Sequence, residues 1–439
     1  MALPSTAPSA ISTSSLTSSD TPPQATTKNL FRFVVERDTF YTIHMVIASH
    51  LSMREIRNVK MVCKQGTELY DGLKKTSWSI ESLLRPYFTD IKQFRCLQSN
   101  TDTPMAGELV ADFFRRVDTD GKHYLDLFTQ TGANADAILK FLKKEGYVVG
   151  ESKPPNDNNG TQQVSMLSKA TGGDCKQLQI GLWQSTNAPI DAFLRYCTVS
   201  SRLCLISWNK AYCMFPNSLV LNKESYLMTS LLASGSSRAR TTLVDEAKKG
   251  LKVKTGSWTT DVTGNPLSEL GPIRSFSDKY SWVIDLDTTG ITRSSVPDEV
   301  LDKRTFGIDC FCQDSFTTYF KLQYQLVQSC VLEHNYVCPS HLAYLHRTVT
   351  RDQQDSHCHY DCKLSNMLEI LDDVTVLQLS MLDPSDQPPQ YDDILDDNSL
   401  ASTAKGNFTV PAHWTYHDEE FQHALQTLYA EVTKPAAET

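Results

Sequence analysis

The sequence predicts an α/β protein of the α+β kind: a mixed sheet with flanking helices, preceded by a small helical unit and followed by an irregular C-terminal region. Three observations carry this. Apolar residues fall at helical spacing between Phe40 and Phe88, helix-like and strand-like segments alternate from about Asp90 to Asp287, and the patterning breaks up beyond that point. At 439 residues the chain is longer than one hydrophobic core usually organises, so two or three packed units are expected.

Residues 1–28 are rich in Ser, Thr, Pro and Ala, hold no aromatic side chain, and carry Lys28 as their only basic one. Such a segment has too little to bury to offset its ordering entropy, so a disordered tail is expected. It also lacks an apolar run of signal-peptide length, which points to an intracellular location, cytoplasmic or nuclear. The 29–89 segment reads as three or four short helices, with Ile43, Val46, Ile47 and Leu51 on one stripe, then Ile56, Val59 and Val62, then Leu69 and Leu73, then Ile80, Leu83 and Leu84. Ser52 followed by Glu55 is a capping-box pair.

From 90 to 290 the pattern is α/β. Helices are expected at Gly107–Val117 and Ala133–Glu145, after Ala188 and around Arg238–Gly250. Strands are expected at Tyr124–Phe128, Gln162–Ser168, Lys176–Trp183 and Trp282–Asp287, and the helix after Ala188 leads to Leu203–Trp208 and then to Ala211–Pro216. Lys153–Gly160, a cluster of Pro, Asn, Asp and Gly, marks an exposed loop. The 291–382 region has no assigned fold: Phe316–His334 looks helical, and Leu364–Leu382 is apolar but mixed. Residues 383–410 form an acidic linker. Within 411–439, Asp418–Val432 reads as an amphipathic helix that docks back onto the fold, with Phe421, Leu425, Leu428 and Val432 on one stripe and acids in its first turn.

Composition excludes some classes of function. A net charge of -9 gives no general attraction to phosphate backbones or anionic lipid, so a nucleic-acid partner is unsupported. No stretch approaches the roughly 20 apolar residues of a membrane helix, so no membrane association is expected. The 12 cysteines lack the density of a secreted disulfide scaffold and read as reduced, mostly buried fillers. Nothing matches the nucleophile, metalloprotease or phosphate-loop motifs.

One constellation carries chemistry. Met105-Ala106-Gly107-Glu108-Leu109-Val110-Ala111-Asp112-Phe113-Phe114-Arg115 is followed by His123-Tyr124-Leu125-Asp126-Leu127-Phe128: a Gly turn that starts a helix, then a strand bearing polar groups at i and i+2. Residues two apart on a strand share a face, so two carboxylates there can jointly hold divalent metal ions against a triphosphate. This layout resembles the polymerase-beta-like nucleotidyltransferase superfamily. It is similar in particular to a group of mushroom-type fungal proteins in which a Gly-Ser-x-Ala-x-x-Phe-Phe helix leads to Ser-Asp-Leu-Asp-Leu-Tyr-Val. Ser207–Pro216, Ala247–Val253 and Ser281–Asp287 match the same group, so the resemblance spans roughly 30 to 290.

The resemblance implies a nucleotidyltransferase-like mixed sheet, with Gly107 and Glu108 at the nucleotide-binding turn and Tyr124 and Asp126 at the metal site. Its departures fall on the chemistry. Glu108 stands in place of the Ser, Tyr124 in place of the first Asp, and Lys176–Trp183, where a third carboxylate belongs, holds no acid. The implied function is a degenerate, catalytically inactive nucleotidyltransferase-like domain acting in binding or regulation, with no cofactor. Mg²⁺ enters only under the alternative of an active metal-dependent nucleotidyltransferase with unusual ligands.

Three weaker patterns remain. Met45–Lys64 resembles an F-box helical core, which implies an alternative function as a ubiquitin-ligase adaptor that presents Ile47 and Leu51 to a Skp1-type partner. Cys310 and Cys312, then Cys338 and His341, then His357, Cys358, His359 and Cys362 have spacings open to zinc or to plain burial. Pro388, Pro389 and Tyr391 have the form of a ligand for a WW-domain protein.

Overall fold

The computed structural model describes residues 77–117, 124–153, 161–170, 177–231, 237–256, 268–270, 273–313, 317–340, 351–387 and 414–432, together with scattered positions between 46 and 73. The chain divides into two compact units, Met1–Leu73 and Lys74–Thr439. In the first, every described position except Leu51 is helical, and Ile56 and Leu73 are buried. Ile47 and Ser52 lie outside the described residues.

The second unit has mixed α and β content and begins with helices α1 (Ile80–Leu84) and α2 (Ile91–Thr101). The last stretch of the 29–89 segment thus groups with this unit, through buried Ile80 and Leu84. Asp90 starts α2 by accepting from the Gln93 N–H at 2.8 Å, the usual way an acid satisfies a free helix-end donor. There follow β1 (Met105–Ala106), α3 (Glu108–Arg115), β2 (Tyr124–Gln130), α4 (Ala133–Lys144), β3 (Val148–Lys153), β4 (Thr161–Ala170), β5 (Gln177–Ser185) and α5 (Pro189–Tyr196). Next come β6 (Cys204–Ile206), β7 (Lys210–Cys213), β8 (Glu224–Tyr226), α6 (Ser237–Lys248), β9 (Lys252–Lys254), β10 (Ile273–Ser275) and β11 (Trp282–Asp285).

The main sheet has eight strands in the order β11-β7-β6-β1-β2-β5-β4-β3. Within it β2 and β5 run parallel and the other neighbours antiparallel. A parallel pair needs a long crossover, and α4 with the β3–β4 hairpin provides it. Buried Ala135, Ile138, Phe141 and Leu142 form the inner face of α4, and Phe94 of α2 packs on Phe141 at 5.8 Å between ring centroids. Helix α5 starts with Pro189, whose fixed φ suits the first helical turn, and is buried nearly all round. Its Ile190, Phe193 and Leu194 share one core with Phe128, Leu205 and Tyr212.

Beyond the main sheet lie α7 (Asp298–Asp302), β12 (Thr305–Gln313), β13 (Thr317–Gln323), β14 (Gln325–Val327), β15 (Tyr336–Cys338), α8 (Arg351–Ser380) and α9 (Asp418–Val432). Strand β10 pairs with β12, so a three-stranded sheet β10-β12-β13 crosses residue 290 and joins the 90–290 and 291–382 segments. Phe306, Ile308, Phe320 and Leu322 place that sheet in the same core as α5.

Of Phe316–His334, the described residues 317–334 hold no helix. Phe320 and Leu322 are buried on either side of exposed Lys321, a period of two, and the β-branched and aromatic run Thr317–Phe320 fits a pleated strand better than a helical turn. Leu364–Ser380 falls on α8, whose Leu364, Leu371 and Leu379, with Leu382 just past its end, meet Phe421, Leu425 and Leu428 of α9 in a second core. Residues 388–413, including Pro388, Pro389 and Tyr391, lie outside the described residues.

Candidate functional site

Asp126 occupies the third position of β2, between β1 and β5. The register sets Ala106 opposite it on one side and Gly181 on the other. Tyr124 and Asp126 share one face: a Cβ built at Gly181 would meet both the Tyr124 hydroxyl and the Asp126 carboxylate. Gly107, with φ of +89°, ends β1 and opens α3, and a Cβ there would overlap Asp126 Oδ2. Two glycines therefore leave room for these side chains, and at Gly107 the positive φ independently favours glycine.

That room is filled. Asp126 is 1 % exposed. Trp183 Nε1, from β5, donates to Oδ1 at 2.7 Å, and the Tyr196 hydroxyl, from the C-terminal end of α5, donates to Oδ2 at 2.7 Å. The two rings lie edge to face, 4.6 Å between centroids, and Phe128 stacks on Trp183. Arg238 of α6 lies over both rings, its Cζ 3.5 Å from the Tyr196 centroid and 4.7 Å from that of Trp183, in cation–π range.

Burial raises the Asp126 carboxyl above its ordinary value, and the hydrogen bonds from Trp183 and Tyr196, with the nearby Arg238 and Arg202 charges, offset this only in part. Burial, reinforced by Asp126, also lifts the Tyr124 and Tyr196 phenols, which stay protonated.

A second layer of charge surrounds the Gly107 turn. Glu108 Oε1 pairs with Lys249 Nζ at 2.6 Å, and Lys249 also meets Asp112 at 2.8 Å. Arg202 reaches Glu246 at 3.3 Å through Nε and lies 3.8 Å from Glu108 and 4.0 Å from Asp245. Buried Glu246 accepts as well from the Ser201 hydroxyl at 2.8 Å. Burial pulls the Arg202 guanidinium down, but Tyr196, Glu246 and Glu108 together lift it above its ordinary value. Glu108 is thus held by two cations of the chain itself.

Mg²⁺ wants several hard oxygen ligands in near-octahedral order. Here one buried carboxyl has a donor on each oxygen, its neighbour is a neutral phenol, and the facing positions of β5 are Gln179, Gly181 and Trp183. This donor set does not fit the ion.

The structure therefore brings Gly107, Glu108, Tyr124 and Asp126 together. Sequence reasoning missed Trp183, Tyr196, Arg202, Arg238 and Glu246. Lys249 lies in Ala247–Val253, a segment singled out by pattern but with no role attached. Cys338 is buried on β15, where burial pushes its thiol up to about 12. Cys310 is half-buried, with its thiol 3.4 Å from the Gly256 carbonyl oxygen. His357, Cys358, His359 and Cys362 fall on α8, but their side chains, like His341, lie outside the described residues. Among those described, no group of three potential ligands could hold a metal ion. Cys96, Cys197, Cys204, Cys213, Cys310, Cys330 and Cys338 are free thiols. No described helix is long and apolar enough to cross a membrane.

Comparison of the chain with protein-family models, with curated proteins and with solved structures finds no match in any of the three.

Proposed function

We propose that residues 90–290 form a nucleotidyltransferase-like domain that has lost metal-dependent catalysis and acts in binding or regulation. The observation that supports this most directly is the capping of Asp126, the one acid retained at the catalytic positions, by Trp183 and Tyr196 in a dry site. A carboxyl that accepts a hydrogen bond on each oxygen, and whose burial works against its charged form, is a poor ligand for a divalent ion. Lys249 and Arg202, which could neutralise a triphosphate, are already paired with the chain's own acids.

Calorimetric titration of the full chain with Mg²⁺ and each of the four nucleoside triphosphates tests the reading, because a ligand of the folded state must raise its stability. The expected result is no metal-dependent binding up to about millimolar concentration, a limit near 4 kcal/mol of binding free energy. Mg²⁺-dependent triphosphate binding that Asp126→Asn abolishes would overturn it.

A second reading, an F-box-like adaptor, is favoured by the separation of Met1–Leu73 as its own helical unit with Val46 and Met61 exposed. Co-purification with a Skp1-type protein, lost on charge substitution at Ile47 and Leu51, is its test. A well-folded chain that captures no such adaptor would sink it.

A further inference from the structure

Helix α8 carries two apolar stripes, an inner one that the fold buries and an outer one that it covers only in part, through Met367 and Val374. The inner stripe, Leu364, Leu371, Thr375 and Leu379, with Leu382 just past the helix end, is buried and meets α9. The outer stripe runs through Met367, Ile370, Val374 and Leu377 and continues to Met381 in the turn that ends the helix. Its spacing alternates three and four residues, the seam by which one helix packs along another. Ile370, Leu377 and Met381 are 59 %, 60 % and 67 % exposed. Single exposed apolar residues are ordinary on a protein surface, whereas a row in register marks a contact face.

The charge around the row selects its occupant. From Lys363, one turn before Met367, to Gln387 there are five carboxylates, Glu369, Asp372, Asp373, Asp383 and Asp386, and Lys363 is the one cation. On a helical projection Glu369 and Asp373 border the outer stripe on the side away from α9. Helix α9 adds Asp418, Glu419 and Glu420 in its first turn, and it too has no Lys or Arg. A second copy of this face would set acid against acid, and an anionic membrane would be repelled. A helix with an apolar stripe flanked by Lys or Arg satisfies both the seam and the field. We propose that the outer stripe of α8 is a docking surface for a basic amphipathic helix of a partner protein.

The test uses the full chain and two labelled synthetic peptides of about 18 residues, roughly 27 Å as a helix. One carries Leu at heptad spacing flanked by Lys, and the other carries the same Leu residues flanked by Glu. Fluorescence anisotropy should show the Lys peptide binding at least about ten-fold tighter than the Glu peptide, and weakening as salt is raised. Ile370→Lys with Leu377→Lys should weaken the Lys peptide by at least about ten-fold without lowering the melting temperature, since both positions are exposed. Glu369→Lys with Asp373→Lys, which leaves the apolar row intact, should narrow the preference between the peptides. Equal affinity for the two peptides overturns the proposal, as does no binding of the Lys peptide up to about millimolar concentration or unchanged affinity in the Ile370/Leu377 variant. Sedimentation velocity provides a further check: concentration-dependent dimerisation that the Ile370/Leu377 variant abolishes would assign the face to a second copy and overturn the basic partner.

Discussion

Tyr196 closes over Asp126, its hydroxyl donating to Oδ2 at 2.7 Å across 70 residues of sequence. The contact fixes the C-terminal end of α5 to the middle of β2 and keeps the carboxyl dry. Because burial raises the Asp126 carboxyl, the folded chain holds this proton to higher pH than the unfolded chain does. Between the two values the unfolded state binds fewer protons, so stability falls as pH rises from about 4 and levels off above the folded value. Asp126→Asn removes this descent, since an amide can accept from Trp183 and donate to a rotated Tyr196 hydroxyl. Thermal melts from acid to neutral pH should therefore show the Asn variant gaining on the wild type. Parallel curves across the range would contradict this origin. Asp126→Ala strands both donors and should cost about 3 kcal/mol.

Gly107 and Gly132 form a matched pair for a steric test. Each opens a helix with positive φ, +89° and +85°, and with ψ of -156° and -139°, a region almost confined to glycine. A methyl at Gly132 meets nothing within 4 Å, whereas one at Gly107 overlaps Asp126. Gly132→Ala should cost about 1–3 kcal/mol and Gly107→Ala clearly more. In a double-mutant cycle, Asp126→Ala should relieve part of the Gly107→Ala penalty. Additive losses in denaturant titrations would show that the carboxylate is not the obstacle.

Glu246 is the most deeply buried counter-charge of Arg202. Its removal leaves the guanidinium with Glu108 and Asp245 at 3.8 and 4.0 Å. Glu246→Ala should cost about 3–5 kcal/mol, and pairing Glu246→Leu with Arg202→Met should cost less than the sum of the two single changes. Urea unfolding of the four proteins measures the coupling.

Phe421 joins α9 to Tyr336 at 5.1 Å between ring centroids and belongs to the core shared with α8. Phe421→Ala should cost about 3–5 kcal/mol. Amide exchange should accelerate across Leu364–Leu382 while β2 and β5 keep their protection. Uniform acceleration everywhere would mean that the second core does not open on its own.

Local patterns made much of this molecule legible. Gly107 announces a turn, the alternation after Tyr124 a strand, and Phe421, Leu425 and Leu428 a helical stripe, because each reflects one element meeting one core. The strand Thr317–Gln323 was not legible, since its pairing with Thr305–Gln313 decides between periods that the short apolar run leaves open. Nor were the groups that cap Asp126. Trp183 and Tyr196 stand 57 and 70 residues from Asp126, and nothing in their neighbourhoods marks them as its partners. The absence of acids from Lys176–Trp183 was visible; what replaces them was not.

The two-residue strand Met105–Ala106 pairs with β2 on one side and β6 on the other. All strands on its β2 side come from Tyr124–Ser185, and all on its β6 side from Cys204–Asp285. Each half of the sheet is thus drawn from one stretch of the chain, and β1 alone joins them, by receiving a segment about a hundred residues downstream. A lesion at the Gly107 turn, which follows β1 directly, would therefore strike the joint between the two halves rather than either half.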